Sequence, residues 1–327
     1  MAVSVRSFAK INIGLRIGPL RKDGFHELRT IYQTVALADL VRVDVSRGLG
    51  IEIHCKDPRV PADESNTCWR VADRVLRYLK TRGRVRITIE KSLPVQGGLG
   101  AASSNAVAAM VALEKALKKQ LPAEERLRIA SEVGSDLPLF LLGGTVLGIG
   151  RGEQIYPLED LPSLPCVIAT PEVGVSTPAA FAEWDKRISD AAKLTSQNGS
   201  DRMNMFNYSV YEWLNGTSFS PTGVPDKGWD RAEALLLDLV RTGIENDFET
   251  VVFPKYPVIR EVKRALERSG AKYVSLSGSG SAVYGLFSDP ESAERAAVSL
   301  TDSGVPAHAT ATLPRKEYWK QLFPAKG

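Results

Sequence analysis

Several short stretches of this 327-residue chain carry side chains able to do chemistry together. "VQGGLGAASSN" (95–105) sets Gly97, Gly98 and Gly100 ahead of Ser103 and Ser104. Glycines reach positive φ and let backbone N–H groups point into one concavity. The Ala-rich run that follows is a good helix former, and a helix N-terminus attracts anions. The stretch reads as a phosphate cradle or, more simply, as a tight turn under close helix packing. Two familiar nucleotide loops do not fit it. Ala101-Ala102-Ser103 follows Gly100 where a Walker A loop requires Gly-Lys-Ser/Thr, and Gly98-Leu99-Gly100 supplies only half of a dinucleotide fingerprint.

"FAKINIGL" (8–15) places Lys10 and Asn12 on one face of an expected strand, among apolar neighbours. Turned inward, such a lysine needs an anionic partner; turned outward, it belongs to an exposed strand face. "GSDLPLF" (134–140) holds Asp136 at a helix boundary, as an N-cap or as the carboxylate that orients a hydroxyl in phosphoryl transfer. "SLSGSGSAVYGLF" (275–287) is a second Gly–Ser loop, either a glycine-rich hairpin or a further wall of the same phosphate site.

The elements that must position these residues read as α+β. "VSVRSFAKINIGLRIG" (3–18) alternates with period two and suits a half-buried strand pair, followed by a turn at Asp23-Gly24. "LVRVDVS" (40–46) and "IEIHC" (51–55) look like a hairpin joined at 47–50. Residues 65–80 have helical spacing with Ser65 or Asn66 as N-cap, and "RVRITIEKSLP" (84–94) is a strand leading into the glycine loop. Helices are expected over 122–134, from Ser176 or Thr177, and three times beyond residue 230; a strand–glycine loop–strand unit, a helix and a strand at "AHATATL" close the chain. Residues 186–230 change character. Much of this segment is rich in Ser, Asn, Gly and Pro, and it reads as a long excursion partly ordered by Tyr211 and Trp213. The β-rich beginning and few regular βαβ units favour α+β in two domains over a doubly wound sheet.

Composition narrows the function classes. The chain is too long for one comfortable core, and 43% hydrophobic with 24% charged residues is an ordinary soluble profile. The formal charge of +4 is spread without long like-charge runs, so no nucleic-acid partner is expected; an anionic small molecule suits it better. Cys55, Cys68 and Cys166 are dispersed, as are His26, His54 and His308, which disfavours a structural zinc site or a disulfide framework. Reduced thiols in a cytoplasmic protein fit. Arg6 and Lys10 interrupt any secretory core at the start, and the uncharged run at 137–150 is too short and Gly-broken to span a bilayer, so no membrane association is expected.

In chain order, "AKINIGLRI", "KDGFHEL", "LADLVRV", "ESNTCWRVA", "KSLPVQGGLGAASSNAVAA", "GSDLPLFLLGGTVLGIGRGE", "GVSTPAAF", "ENDFE" and "LSGSGSAVYGLF" resemble the galactokinase–homoserine kinase–mevalonate kinase–phosphomevalonate kinase (GHMP) superfamily. Within it they are most similar to the branch acting on a cytidine-diphosphate-linked methylerythritol. The resemblance implies a two-domain GHMP kinase fold with the active site in the interdomain cleft. Residues 1–160 would bind nucleotide and 161–327 would form the substrate side, with the excursion at 186–230 inserted. It implies ATP and Mg²⁺ as cofactors, no assigned metal ligands, and a monomer or homodimer. Asp136 then corresponds to the catalytic carboxylate and Lys10 to the lysine that holds it and stabilises the transferred group. Gly97, Gly98, Leu99, Gly100, Ala101, Ala102, Ser103 and Ser104 would hold the ATP phosphates, with Asn66 and Lys91 on the adenine side. Asn12 would bind substrate, His26 would read the cytosine edge, and Phe25 and Phe181 would stack on the base. Ser277, Gly278, Ser279 and Gly280 match the third motif, near the substrate phosphates.

The chain departs from the family pattern in three places. Ala101-Ala102 stands where Gly-Gly is usual, which predicts a stiffer loop; Phe25 stands where Tyr is commoner; and the 186–230 excursion is long. Alternative readings are a GHMP kinase acting on a homoserine- or mevalonate-like alcohol, or a non-catalytic nucleotide-binding relative on the same fold.

Overall fold

Two long antiparallel strands organise the first half of the chain, β1 (Ala2–Leu20) and β2 (His26–Ser46), joined by the turn around Gly24. The computed structural model describes residues 2–95, 97–192, 199–216 and 231–324. Residues 3–18 are one strand rather than the expected pair. Gly14 takes φ +74° at the register shift between Ile13 and Leu15, so the chain bulges and continues. β2 is longer than its alternation suggests because Thr30 to Val35 are buried on both faces, which erases the period of two.

The hairpin expected from 40–46 and 51–55 does not form. β4 (Arg84–Glu90) lies between β2 and β3 (Gly50–Cys55), antiparallel to the first and parallel to the second. The parallel pairing is reached through α1 (Thr67–Tyr78), which Asn66 caps by accepting from the Cys68 N–H at 2.8 Å. β5 (Thr145–Gly150) and β6 (Gln154–Pro157) complete this sheet along the other half of β2.

α2 (Ala101–Leu117), α3 (Ala123–Val133) and the short α4 (Leu137–Phe140) join α1 on one face of the sheet. α2 lies close to the strands because Ala106, Ala108, Ala109 and Ala112 present almost no side chain, and all four are buried. The second sheet, β10-β7-β9-β8, is antiparallel and consists of β7 (Pro165–Ala169), β8 (Tyr273–Leu276), β9 (Val283–Leu286) and β10 (Ala307–Ala311). Cys166 and Ile168 join Ile11 and Ile13 in the core between the sheets. Val167 and Ala169 point the other way, to the core formed with α8 (Glu249–Lys255), α9 (Pro257–Arg268) and α10 (Pro290–Asp302).

Part of the 186–230 excursion is helical. α5 (Thr177–Ala192) runs into it, and α6 (Gly199–Gly216) buries Phe206, Val210 and Trp213 in the core between the sheets; α7 (Arg231–Arg241) follows. Tyr211, expected to order the segment beside Trp213, has its ring mostly exposed. Residues 193–198 and 217–230 of the excursion lie outside the described residues. α11 (Arg315–Gln321), which the sequence pattern did not reveal, returns to the first core, and Tyr318 donates its hydroxyl to the Phe140 carbonyl at 2.7 Å. Among the described residues, no helix is long and apolar enough to cross a membrane.

Ala101 and Ala102 are the first residues of α2, and among the described residues of the loop only Gly98 and Gly100 take positive φ. The alanines therefore stiffen the first helical turn rather than the loop. Ala102→Gly is expected to lower stability by about 0.5–1 kcal/mol through backbone entropy in the helix. Urea unfolding reads this as a lower midpoint at unchanged slope.

Candidate active site

The alternation of β1 puts Lys10 and Asn12 on the same side, and both are buried. The Lys10 ammonium donates to Asn12 Oδ1 at 2.6 Å and lies 3.5 Å from Asp136 Oδ2. The inward-facing alternative is thus the observed one, and the anionic partner it requires is Asp136. Asn12 Nδ2 donates to Thr30 Oγ1 at 2.8 Å, and the Thr30 hydroxyl donates to the Gly14 carbonyl at 2.8 Å. That chain fixes the amide so that its oxygen faces the lysine.

Asp136 precedes α4 but makes no capping bond. Its Oδ1 accepts from the Tyr32 hydroxyl at 3.0 Å. Burial, and then the neighbouring Asp136 charge, push the Tyr32 phenol well above the ordinary tyrosine range, so it stays protonated and donates. The Asp136 side chain remains 31% exposed, which leaves a carboxylate held from behind and open in front.

The two Gly–Ser loops meet at the same place. Gly98 and Gly100 take φ of +77° and +69°. A Cβ on Gly98 would overlap the Ser277 carbonyl oxygen, and one on Gly100 would press on Lys10 Cγ and the Phe140 ring at 3.0 Å. The Lys10 N–H donates to the Leu99 carbonyl at 3.0 Å, and the Ser277 hydroxyl donates to the Gly98 carbonyl at 3.0 Å. A Cβ on Gly278 would lie 3.5 Å from the Lys10 ammonium. Asn246 shapes this second loop by donating to the Leu276 and Gly278 carbonyls, each at 2.8 Å, while Ser279 Oγ sits 2.8 Å from Thr177 Oγ1 at the start of α5.

Gly100 heads α2 without a side-chain cap, so donors of the first turn stay available to an anion. A cavity of about 400 Å³ opens beside this turn, bordered by Asn66, Lys91, Gly97, Gly100, Ser103 and Asn105. Ser104 is buried beneath the loop and does not border it. Lys91 pairs with Asp39 at 2.5 Å, and Asn105 donates its Nδ2 to the same carboxylate at 3.0 Å. The Asn105 Oδ1 is a buried acceptor that no donor among the described residues satisfies.

At the far end of β2, His26 Nε2 lies 2.8 Å from Asp185 Oδ1 and its ring stacks on Phe181, with centroids 5.0 Å apart and planes at 5°. Phe25 stands apart from that stack, half exposed, with the Arg151 guanidinium 5.0 Å over its ring. The structure therefore gathers Lys10, Asn12, Asp136 and both glycine loops at one point, Asn66, Lys91 and Ser103 around the cavity, and His26 with Phe181 at a third position. Sequence reasoning missed Tyr32, Asp39, Asn105, Asp185 and Asn246. Asp39 had a signal, since an acid within the apolar "LADLVRV" needs buried donors.

Residues 66–144 match the family described as GHMP kinases N terminal domain, and residues 232–305 match GHMP kinases C terminal. The 4-diphosphocytidyl-2-C-methyl-D-erythritol kinase of Solibacter usitatus is 36% identical over 292 residues, covering 89% of this chain and 83% of the relative. That of Caldanaerobacter subterraneus subsp. tengcongensis is 34% identical over 90% of this chain and 92% of the relative. A crystal structure of 4-(cytidine 5'-diphospho)-2C-methyl-D-erythritol kinase superposes with a TM-score of 0.68 at 29% identity, over 94% of this chain and 98% of that one. A homoserine kinase from Cytophaga hutchinsonii superposes with a TM-score of 0.72 at 20% identity, covering 97% and 96%, and shows the shared fold.

Interlock of the two loops predicts a graded response. Gly24 has φ +82° but open space around it, so Gly24→Ala carries only the backbone strain of about 1–2 kcal/mol. Gly98→Ala adds the overlap with Ser277 and is expected to destabilise by clearly more. Equal denaturant midpoints for the two variants would show that the loops separate freely.

Proposed function

The chain belongs to the 4-diphosphocytidyl-2-C-methyl-D-erythritol kinases of the GHMP kinase family, and from that premise we propose that Lys10 and Asp136 are the pair at which it phosphorylates the 2-hydroxyl of 4-diphosphocytidyl-2-C-methyl-D-erythritol with ATP. This is a step of the non-mevalonate route to isoprenoids. The observation that carries the assignment is the Lys10 ammonium, 3.5 Å from Asp136 Oδ2 and bounded by both glycine loops.

Phosphoryl transfer depends on positioning and on charge stabilisation more than on covalent chemistry. Asp136, held through Oδ1 by Tyr32, orients the substrate hydroxyl and receives its proton. Lys10 stabilises the charge on the transferred group and keeps the carboxylate in place. Gly97 to Ser103 hold the ATP phosphates, chiefly through the uncapped N–H groups at the start of α2 and the Ser103 hydroxyl, with Asn66 and Lys91 toward adenine and Ser104 buried behind them. Asn12 and Ser277 to Gly280 serve the substrate, and His26, Phe25 and Phe181 serve its cytosine. Residues 1–160 form the nucleotide-binding domain and 161–327 the substrate side, with α11 returning to the first core.

Mg²⁺ fits this site as an ion carried mainly by phosphate and water, since no three His, Cys, Asp or Glu side chains cluster for a metal among the described residues, and the Ser103 hydroxyl borders the cavity. When bound, it supplies charge neutralisation on the phosphates. The three free cysteines support a cytoplasmic setting.

Purified protein given ATP, Mg²⁺ and 4-diphosphocytidyl-2-C-methyl-D-erythritol should yield ADP and a phosphorylated product; turnover of homoserine or mevalonate instead would overturn the acceptor. Asp136→Asn is expected to lower kcat by about 10²–10⁴-fold and also to lower Tm, since the buried Lys10 loses its anion. Tyr32→Phe, which removes one bond to a charged acceptor, should lower kcat by about tenfold. Full turnover by Asp136→Asn would remove the carboxylate from this role.

A further inference from the structure

Asp39 lies on β2 with its carboxylate wholly buried, and its oxygens are engaged at both ends of the phosphate loop. Oδ1 accepts from the N–H groups of Ser92 at 2.7 Å and Leu93 at 2.8 Å. Oδ2 accepts from Lys91 Nζ at 2.5 Å and Asn105 Nδ2 at 3.0 Å. Lys91, Ser92 and Leu93 follow β4 and lead into the loop, and Asn105 sits just inside the helix that the loop opens. One carboxylate on the central strand therefore ties down the approach and the exit of residues 94–100.

We infer that Asp39 is a positioning residue for ATP, a role that rests on the kinase reading above. A buried carboxylate is tolerated only where donors surround it, and here they come from segments flanking the nucleotide cavity. The loop between them contains Gly97, Gly98 and Gly100, whose backbone has the most freedom to lose. Anchoring both ends orders the loop before ATP arrives, so nucleotide affinity should depend on Asp39 although Asp39 itself touches no nucleotide. The same carboxylate fixes the Asn105 amide, whose Nδ2 donates to it while Oδ1 stays buried without a partner among the described residues. Asp39→Asn keeps the shape but places an amide N–H against the donors of Lys91 and Asn105.

The test begins with ADP titrated into the full-length wild-type protein; no binding there overturns the nucleotide reading itself. With wild-type binding established, Asp39→Asn should weaken ADP affinity and raise the ATP KM by about tenfold, with kcat within about threefold, as expected for misdirected bonds to a charged acceptor. The KM for the cytidine substrate should not move. Ser92→Pro deletes one loop N–H at an exposed position and should raise the ATP KM by about threefold, a smaller share of the same bonding. Unchanged ADP affinity, or a fall in Tm with both KM values moving together, overturns the positioning role. Should Asp39→Asn not fold, Ser92→Pro decides by the same criterion.

Discussion

An ammonium group removed from water must be met by an anion or by well-aimed dipoles, and Lys10 is removed from water almost completely. Around it gather Asn12 from β1 itself, Asp136 from the approach to α4, and the loop at Gly278 between β8 and β9. Each of these is held in turn, by Thr30, by Tyr32 and by Asn246. The fold is consistent with the burial of this one charge only if all three segments arrive together. The packing of the core and the geometry of the site therefore rest on the same contacts.

β1 makes that possible because it serves every core. Val5 and Phe8 pack under α2, Ile11 and Ile13 pack between the sheets, and Leu15 and Ile17 join the helices behind the second sheet. The strand changes its allegiance at register shifts, and the bulge at Gly14 is where it meets Ile244 and Phe206. A straight strand would keep one face toward one partner. The bulges let Lys10 and Asn12 face Asp136 and the glycine loops while residues on either side remain core.

Local chemistry was legible in the sequence where residue type and spacing suffice. Lys10 with Asn12, the positive-φ glycines of both loops and the Asn66 cap all follow from short-range rules. Partnership across the sheet did not follow, since alternation at 40–46 and 51–55 marks two strands without saying that Arg84–Glu90 comes between them. Tyr32 and Asp39 were hidden for a related reason. Tyr32 lies where the alternation of β2 disappears and Asp39 in its alternating part, but both act only through residues about 50 to 100 positions away, at Asp136 and at Lys91 to Asn105. The amphipathic character of α6 was masked by the polar composition around it.

Where the chain departs from its family's pattern, the structure gives the departures different weights. Ala101 and Ala102 occupy helical positions, so glycine is not required there, and the first glycine loop keeps positive φ at Gly98 and Gly100. Phe25 retains an aromatic face, now covered by Arg151. The excursion matters most, because α6 is bolted to the site rather than appended to it. Asp247, buried in the "ENDFE" segment, accepts from Arg16 on β1 and from Arg202 on α6, each at 2.8 Å, and from the Ile17 N–H at 2.8 Å. Arg202 also lies 5.0 Å over Trp184 on α5, the helix that carries Phe181 and Asp185 to His26. Variation in the excursion is thereby coupled to the stacked His26–Phe181 pair through a buried carboxylate, while the Lys10–Asp136 pair is held by its own separate contacts.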